Sequence, residues 1–319
     1  MPGNLTFFCE LPSDRLQQLF ADGQVATLLA RHACGVSMAM LDLTPDRAEV
    51  VRNLQGIGVP VTAWLLLEQS DGYWLTLDNV QLAQARWHAV RAWAEQHRLK
   101  FAAVGLDIEA PHDDAVALME SPMLTLARLA WLRRTRSEHR EALAACERLV
   151  QTIRADVGLV ETYQFPFIAD ERAAQSSLLQ RVLGIADVRA DREVLMLYRS
   201  ALPNPWGAAL VDTYGPGAEA IAVGITGGGV EALEASFAAR ELDLQTTLEE
   251  LARAQQHTRQ VYVFSLEGCV HKGWLADLLL AELPTPNLLL HKPSRAGRLL
   301  TRAVLRADKL VAWLRSARK

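Results

Sequence analysis

The sequence predicts a single barrel of eight parallel strands, a (β/α)8 fold, with a helical extension at its C-terminal end. Three observations lead there. Eight short apolar runs alternate with stretches of helical spacing along 319 residues. That alternation is the mark of repeated strand–helix units, whose right-handed crossovers close a parallel sheet. The length suits one large barrel. Several of the apolar runs also end in a charged or aromatic residue, as barrel strands do where they open into a site.

The first strand is predicted over Leu5–Leu11, closed by Pro12, with Glu10 near its end. Ser13-Asp14 offers a helix start, and Leu16, Leu19 and Phe20 follow at helical spacing. The second strand, Gly35–Leu43, ends at Asp42, and Thr44-Pro45-Asp46 opens a helix with proline in the first turn, where it is tolerated. Gly56-Ile57-Gly58 ends that helix. The third strand, Val59–Glu68, leads into a loop carrying Gly72-Tyr73-Trp74, and a long helix runs from about Val80 to His97.

The fourth strand, Phe101–Glu109, is the most informative. Side chains alternate across a strand, so Gly105, Asp107 and Glu109 share one face while Val104, Leu106 and Ile108 take the other. Two carboxylates at the end of an apolar run are costly to bury without a use. Residues 115 to 156 form the longest helical stretch. The fifth strand, Gly158–Phe167, places Glu161 and Tyr163 on one face. The sixth, Glu193–Arg199, ends in Tyr198-Arg199 and precedes a proline-rich loop with Trp206. The seventh, Ala220–Thr226, runs into Gly227-Gly228-Gly229, and the eighth, Gln260–Glu267, ends in Ser265-Leu266-Glu267.

The barrel is expected over residues 1–283 and the extension over 284–319. From His291 onward there are nine Lys or Arg against one Asp, with Arg295, Arg298, Arg302, Arg306 and Lys309 at three- and four-residue steps. This pattern predicts a basic amphipathic helix that either caps the barrel floor or makes peripheral contact with an anionic surface.

Composition narrows the function classes. The formal net charge is −4, which gives no global pull toward nucleic acid, and no aromatic-interleaved basic surface stands out. The four cysteines are far apart and form no CxxC, so reduced thiols in a cytoplasmic protein are the expectation. The N-terminal residues carry no basic leader or long apolar core, and no apolar run reaches a membrane span. No P-loop and no dinucleotide fingerprint is present. Strand ends offer few histidines for zinc or iron. An oxygen-ligand metal held by Asp42, Glu68, Asp107, Glu109 and Glu267 is a lesser expectation, so neither a cofactor nor a metal enters the reading.

The strand ends supply Glu10, Glu68, Asp107, Glu109, Glu161, Tyr163, Tyr198, Arg199 and Glu267. Carboxylates crowded into one pocket push their pKa values apart, so that one stays protonated while another ionises. Glycosidic cleavage needs that division of labour. Tyr73, Trp74, Trp206 and Trp64 are candidate faces for a sugar ring. Packing in the barrel is the alternative for each.

Leu106-Asp107-Ile108-Glu109 at a fourth strand end resembles the close of the family 18 chitinase signature, Asp-Gly-x-Asp-x-Asp-x-Glu, a TIM-barrel family. The resemblance implies that Glu109 is a general acid and that Asp107 shares its proton network. Leu197-Tyr198 resembles the family's Met-x-Tyr, whose tyrosine supports the substrate's acetamido group. The signature's earlier Asp is Gly105 here, its first Asp-Gly is Ala102-Ala103, and the eighth strand lacks the family's Trp. A two-carboxylate route with Glu161, Glu267 or Glu10 as the second acid is equally open.

The favoured expectation is therefore hydrolysis of a glycosidic bond in a small-molecule or oligosaccharide substrate. Two others stand beside it. A lyase or isomerase of phosphorylated metabolites would use Gly227, Gly228 and Gly229 as a phosphate turn. A non-catalytic barrel would bind sugars or a protein.

Overall fold

The computed structural model describes residues 4–121, 124–125, 128–129, 134–202, 206–228 and 241–284. The strands are β1 Asn4–Cys9, β2 Gly35–Ala39, β3 Val61–Leu65, β4 Ala103–Ile108, β5 Val160–Gln164, β6 Arg192–Met196, β7 Ala220–Gly224 and β8 Gln260–Phe264. All pair in parallel, and they close in chain order, with β1 meeting β8 from Asn4↔Gln260 to Phe8↔Phe264. This is the predicted (β/α)8 barrel. Each strand is shorter than its apolar run, because the ladder ends where the chain turns into a loop while apolar residues continue into the site.

The described helices are α1 Ser13–Phe20, α2 Gln24–Arg31, α3 Pro45–Gly56, α4 Val80–His97, α5 His112–Glu120, α6 Arg136–Val157, α7 Phe167–Ala174, α8 Leu178–Leu183, α9 Leu210–Tyr214, α10 Leu244–His257, α11 Leu266–His271 and α12 Leu275–Leu280. Local chemistry sets their starts. The Thr44 hydroxyl accepts the Arg47 N–H ahead of Pro45 at the start of α3, and Thr135 with Glu138 forms a reciprocal capping box at α6. Each such cap contributes about 1 kcal/mol. The expected helix after Gly229 and the basic segment from 285 onward lie outside the described residues.

Two apolar layers hold the barrel. The outer one joins strand residues such as Phe7, Val36, Val104 and Val263 to helix residues such as Leu29, Val51, Trp87 and Ile153. The inner one fills the lumen with Phe8, Trp64, Tyr163, Val194, Tyr262 and Phe264. Their rings pack closely, with Phe8 against Tyr163 edge-on at 4.8 Å between centroids. The same alternation therefore sends Glu10, two residues beyond Phe8, and Asp107, two beyond Gly105, toward the lumen axis.

Asp42 ends as a structural group. Its carboxylate accepts the Arg47 Nη2 at 2.9 Å, and the Ser13 and Thr44 hydroxyls also bond to it. Burial opposes its charge, but the donations of Arg47, Ser13 and Thr44 prevail and hold it well below the usual carboxylate range. Arg47, fully buried, also donates to the Ala39 and Leu11 carbonyls, pinning β2 to the exit of β1.

Candidate active site

The site is built from β4. A Cβ at Gly105 would lie 2.1 Å from the Tyr163 hydroxyl, so only glycine admits the ring that fills the lumen here. This explains why no acid precedes Asp107 on that face. Asp107 is buried and Glu109, past the strand end, is half-buried. Burial raises the Asp107 carboxyl far above its ordinary value. The charge of Glu109 and a hydrogen bond shared with it add to the rise, while the Trp64 indole works the other way. Burial also raises Glu109, against the hydrogen bond with Asp107 and with the charge of Glu10. The two carboxyls thus retain a proton between them at neutral pH. Asp107 Oδ1 and Trp64 Nε1 are buried, and neither has a partner at full hydrogen-bond geometry.

Glu10 faces this pair from the end of β1. Tyr73 donates its phenol proton to Glu10 Oε1. The loop after β3 makes that reach possible: Gly72 and Tyr73 are both left-handed, at φ 99° and 64°. That conformation costs a tyrosine about 1–2 kcal/mol. Asn79 braces it, accepting the Thr76 N–H at 2.8 Å and donating to the Asp71 and Trp74 carbonyls at 3.0 and 2.8 Å. Burial pushes Glu10 up to about 8. The Tyr73 donation opposes this, and the charges of Glu267 and Asp107 reinforce it.

Glu267, in the first turn of α11, completes the group. The Glu10 main-chain N–H donates to its Oε1 at 3.2 Å. Burial raises it to about 7, offset by its own N–H, that of Glu10, and the Ser265 and Cys9 side chains. Burial also drives the Tyr198 phenol up, with further pushes from Asp107, Glu109 and Glu10. Tyr198 therefore shares their electrostatic neighbourhood. A cleft of about 860 Å³ opens over the β1, β3, β7 and β8 ends, lined by Glu10, Glu68, Tyr73, Thr226, Gly227, Gly228, Glu241 and Glu267.

Several candidates lie elsewhere. Glu161 is the second residue of β5, at the opposite end of the strand from the mouth. It is closed by an ion pair to Arg192 at 2.5 Å and by the Tyr262 and Tyr163 hydroxyls at 2.8 and 3.2 Å. Alternation gave it the lumen face, but its register put it at the floor. Tyr163 is fully buried, its hydroxyl 2.7 Å from Ser37 Oγ. Trp64 is a lumen side chain packed on Phe8, Tyr163 and Phe264. Trp74 is buried against Tyr73 and His112. None of these presents a face to the cleft. Arg199 turns to the buried Glu250 of α10 at 3.3 Å. Trp206 is 53% exposed and does not line the cleft. Glu68 is exposed at the cleft rim.

Gly227 and Gly228 do border the cleft, but carboxylates face them: a Cβ at Gly228 would lie 2.6 Å from Glu267 Cγ, and one at Gly227 3.2 Å from Glu241 Oε1. Gly229 lies outside the described residues. Among the described residues no three His, Cys, Asp or Glu side chains are arranged to hold a metal. Arg15, Lys272 and His271 also line the cleft, and Lys272 pairs with Glu241 at 2.5 Å. Arg15 carries no signal in the sequence. Lys272 and His271 stand just past the eighth strand, where only position marks them.

No family model matches the chain, and no curated protein matches it. Among solved structures, the PgaB (BpsB) glycoside hydrolase domain from Bordetella bronchiseptica superposes with a TM-score of 0.55 at 8% identity, covering 88% of this chain and 100% of that one. The 3-keto-D-glucoside 4-epimerase YcjR from E. coli gives 0.46 at 12% identity, covering 86% and 99%. An L-ribulose 3-epimerase gives 0.44 at 13% identity, covering 98% of each. At these identities the likeness is one of fold: the chain is a closed (β/α)8 barrel, as its strand pairing shows independently.

Proposed function

We propose that this chain hydrolyses a glycosidic bond in a small-molecule or oligosaccharide substrate, with Glu109 as general acid/base and Asp107 as the partner that tunes it. One observation carries the reading. Burial raises the two carboxyls at the end of β4 toward their protonated forms, and two further raised carboxyls, Glu10 and Glu267, line the cleft over the strand ends. Protonating a leaving oxygen needs the first, and stabilising or attacking the developing cation needs the second. Tyr198, whose phenol feels the charges of Asp107, Glu109 and Glu10, would orient the substrate. The barrel that superposes on this chain with a TM-score of 0.55 is a glycoside hydrolase domain, which is compatible with this chemistry.

The cleft lining supports this over a phosphorylated substrate. A phosphate dianion at Gly227-Gly228 would have to lie against Glu267 and break the Lys272–Glu241 pair, and like charges at contact cost several kcal/mol where water is excluded. A barrel that only binds would gain nothing from burying this many acids without a basic partner. The test is turnover of a panel of 4-nitrophenyl glycosides. Glu109→Gln should lower kcat by at least about a hundredfold, the lower end for loss of a general acid, with an unchanged far-UV spectrum. Unchanged kcat in a folded variant removes Glu109 from this role.

A further inference from the structure

Glu267 is anchored through one oxygen only. Its Oε1 accepts the Glu10 N–H at 3.2 Å, while its Oε2 is buried and has no hydrogen-bond partner. The residue is 8% exposed and borders the cleft. A buried oxygen left unpaired costs about 1–3 kcal/mol, a cost that folds retain where a bound group completes the bond. The anchor itself is fixed. Glu10 is held by the Tyr73 hydroxyl, and Tyr73 by the left-handed turn that Asn79 braces. Of the other two acids that the sequence offered for this task, Glu10 is held by the Tyr73 hydroxyl and Glu161 has its carboxylate closed by Arg192 at the barrel floor.

We propose that Glu267 is the second catalytic carboxylate, the general base toward water, and that Glu10, clamped by Tyr73, is the positioning residue that holds it. The assignment rests on the hydrolase reading above. In the reaction, Glu267 Oε2 takes one proton from a water molecule as its oxygen bonds to the anomeric carbon. The bond from that carbon to the leaving oxygen breaks, and the leaving oxygen takes the proton held by Asp107 and Glu109. Atoms and charge balance with water as the only co-reactant. The groups around Glu10 are Tyr73 from the β3 loop, Asp107 of β4, Glu109 just past it, Tyr198 beyond β6 and Glu267 of α11, and Arg15 of α1 also lines the cleft. Among these acids Glu267 rises to about 7 and Glu10 to about 8.

The experiment uses the full chain and the 4-nitrophenyl glycoside that it cleaves fastest. Glu267→Gln keeps an oxygen for the Glu10 N–H and should lower kcat/KM at least about a hundredfold and erase the acid limb of its pH profile. Glu267→Asp, which withdraws the carboxylate by one methylene, should keep the limb with a loss of about tenfold or more. It serves as the readout if the glutamine variant does not fold. Glu10→Gln retains both the main-chain donor and an acceptor for Tyr73, so it should lose less turnover than Glu267→Gln. Glu10→Ala, which frees Tyr73, should lose more. Glu267→Gln at more than a tenth of wild-type kcat/KM overturns the assignment, as does Glu10→Gln falling as far as Glu267→Gln. A folded wild-type chain that cleaves no glycoside overturns the hydrolase reading itself, and this assignment with it.

Discussion

Replacing Glu10 by glutamine should make the folded chain more stable as the pH rises. The carboxyl is raised from 4.5 to about 8 by burial and by its acidic neighbours. Below pH 4.5 the group is protonated in both folded and unfolded chains, so the substitution changes little through ionisation. As pH climbs past 4.5 the unfolded chain releases this proton while the folded chain keeps it, and folding loses ground steadily. Above about 8 both forms are ionised and the loss is complete. One pKa unit corresponds to about 1.4 kcal/mol, so the full shift sets an upper bound near about 5 kcal/mol. Part of that belongs to the charges of Glu267 and Asp107, which readjust when Glu10 is neutral, and roughly 2–4 kcal/mol is the expected gain. Glutamine keeps an oxygen for the Tyr73 hydroxyl, so packing is preserved. Urea unfolding of both proteins at pH 5 and pH 9 measures the effect: the stability difference should widen in favour of the variant at pH 9. A difference that stays constant with pH, or one that favours wild type at pH 9, would show that Glu10 is not held in a proton-retaining pocket and would refute the reasoning.

Other substitutions separate scaffold from site. Glu161→Gln leaves Arg192 without its charge partner at the floor. Because Arg192 is partly exposed, the loss should be about 1–3 kcal/mol in unfolding free energy, with the pH profile of turnover unmoved. Gly105→Ala drives a methyl group into the Tyr163 ring and should cost at least about 1–3 kcal/mol by overpacking, seen as a lowered Tm. Asp42→Asn removes the charge that pairs with the buried Arg47. It should flatten the acid side of the stability curve, because the lowered Asp42 carboxyl contributes stability above the unfolded pKa that is lost as pH falls; urea midpoints at pH 3 and pH 6 check this. Titration with inorganic phosphate followed by calorimetry should give no heat of binding at the Gly227-Gly228 turn, and saturable binding there would revive the phosphometabolite reading.

The barrel was readable because it depends on repetition. Eight apolar runs bounded by turn residues admit few other closures, and errors of two or three residues at each end do not change the count. Side-chain alternation likewise placed Asp107 and Glu109 on the lumen face. What alternation does not give is height along the barrel axis. Glu161 shares the inward face with Tyr163, but the register Gly105↔Glu161 sets it two residues below Asp107. Trp64 reads as a sugar platform because large aromatics serve both packing and binding, and only the closed lumen shows which use it has. The Tyr73–Glu10 contact joins residues 63 positions apart through two consecutive left-handed residues. Gly72 hints at such a turn, but nothing in the local pattern marks a tyrosine beside it for the same conformation. Arg199 pairs with Glu250 of α10, a partner 51 positions later that no motif connects.

The bond from the Glu10 amide to Glu267 spans 257 positions and crosses the junction where the first strand meets the last. Every other pair of neighbouring strands is consecutive in the chain, so this seam is the final ladder to zip and the one with the largest loop to close. Binding competence is thereby tied to ring closure. A half-assembled sheet, however well ordered, holds Asp107 and Glu109 but lacks the wall that faces them. Gain of ligand affinity during refolding should lag behind the recovery of helical signal, and that lag would time the moment at which the two ends of the sheet join.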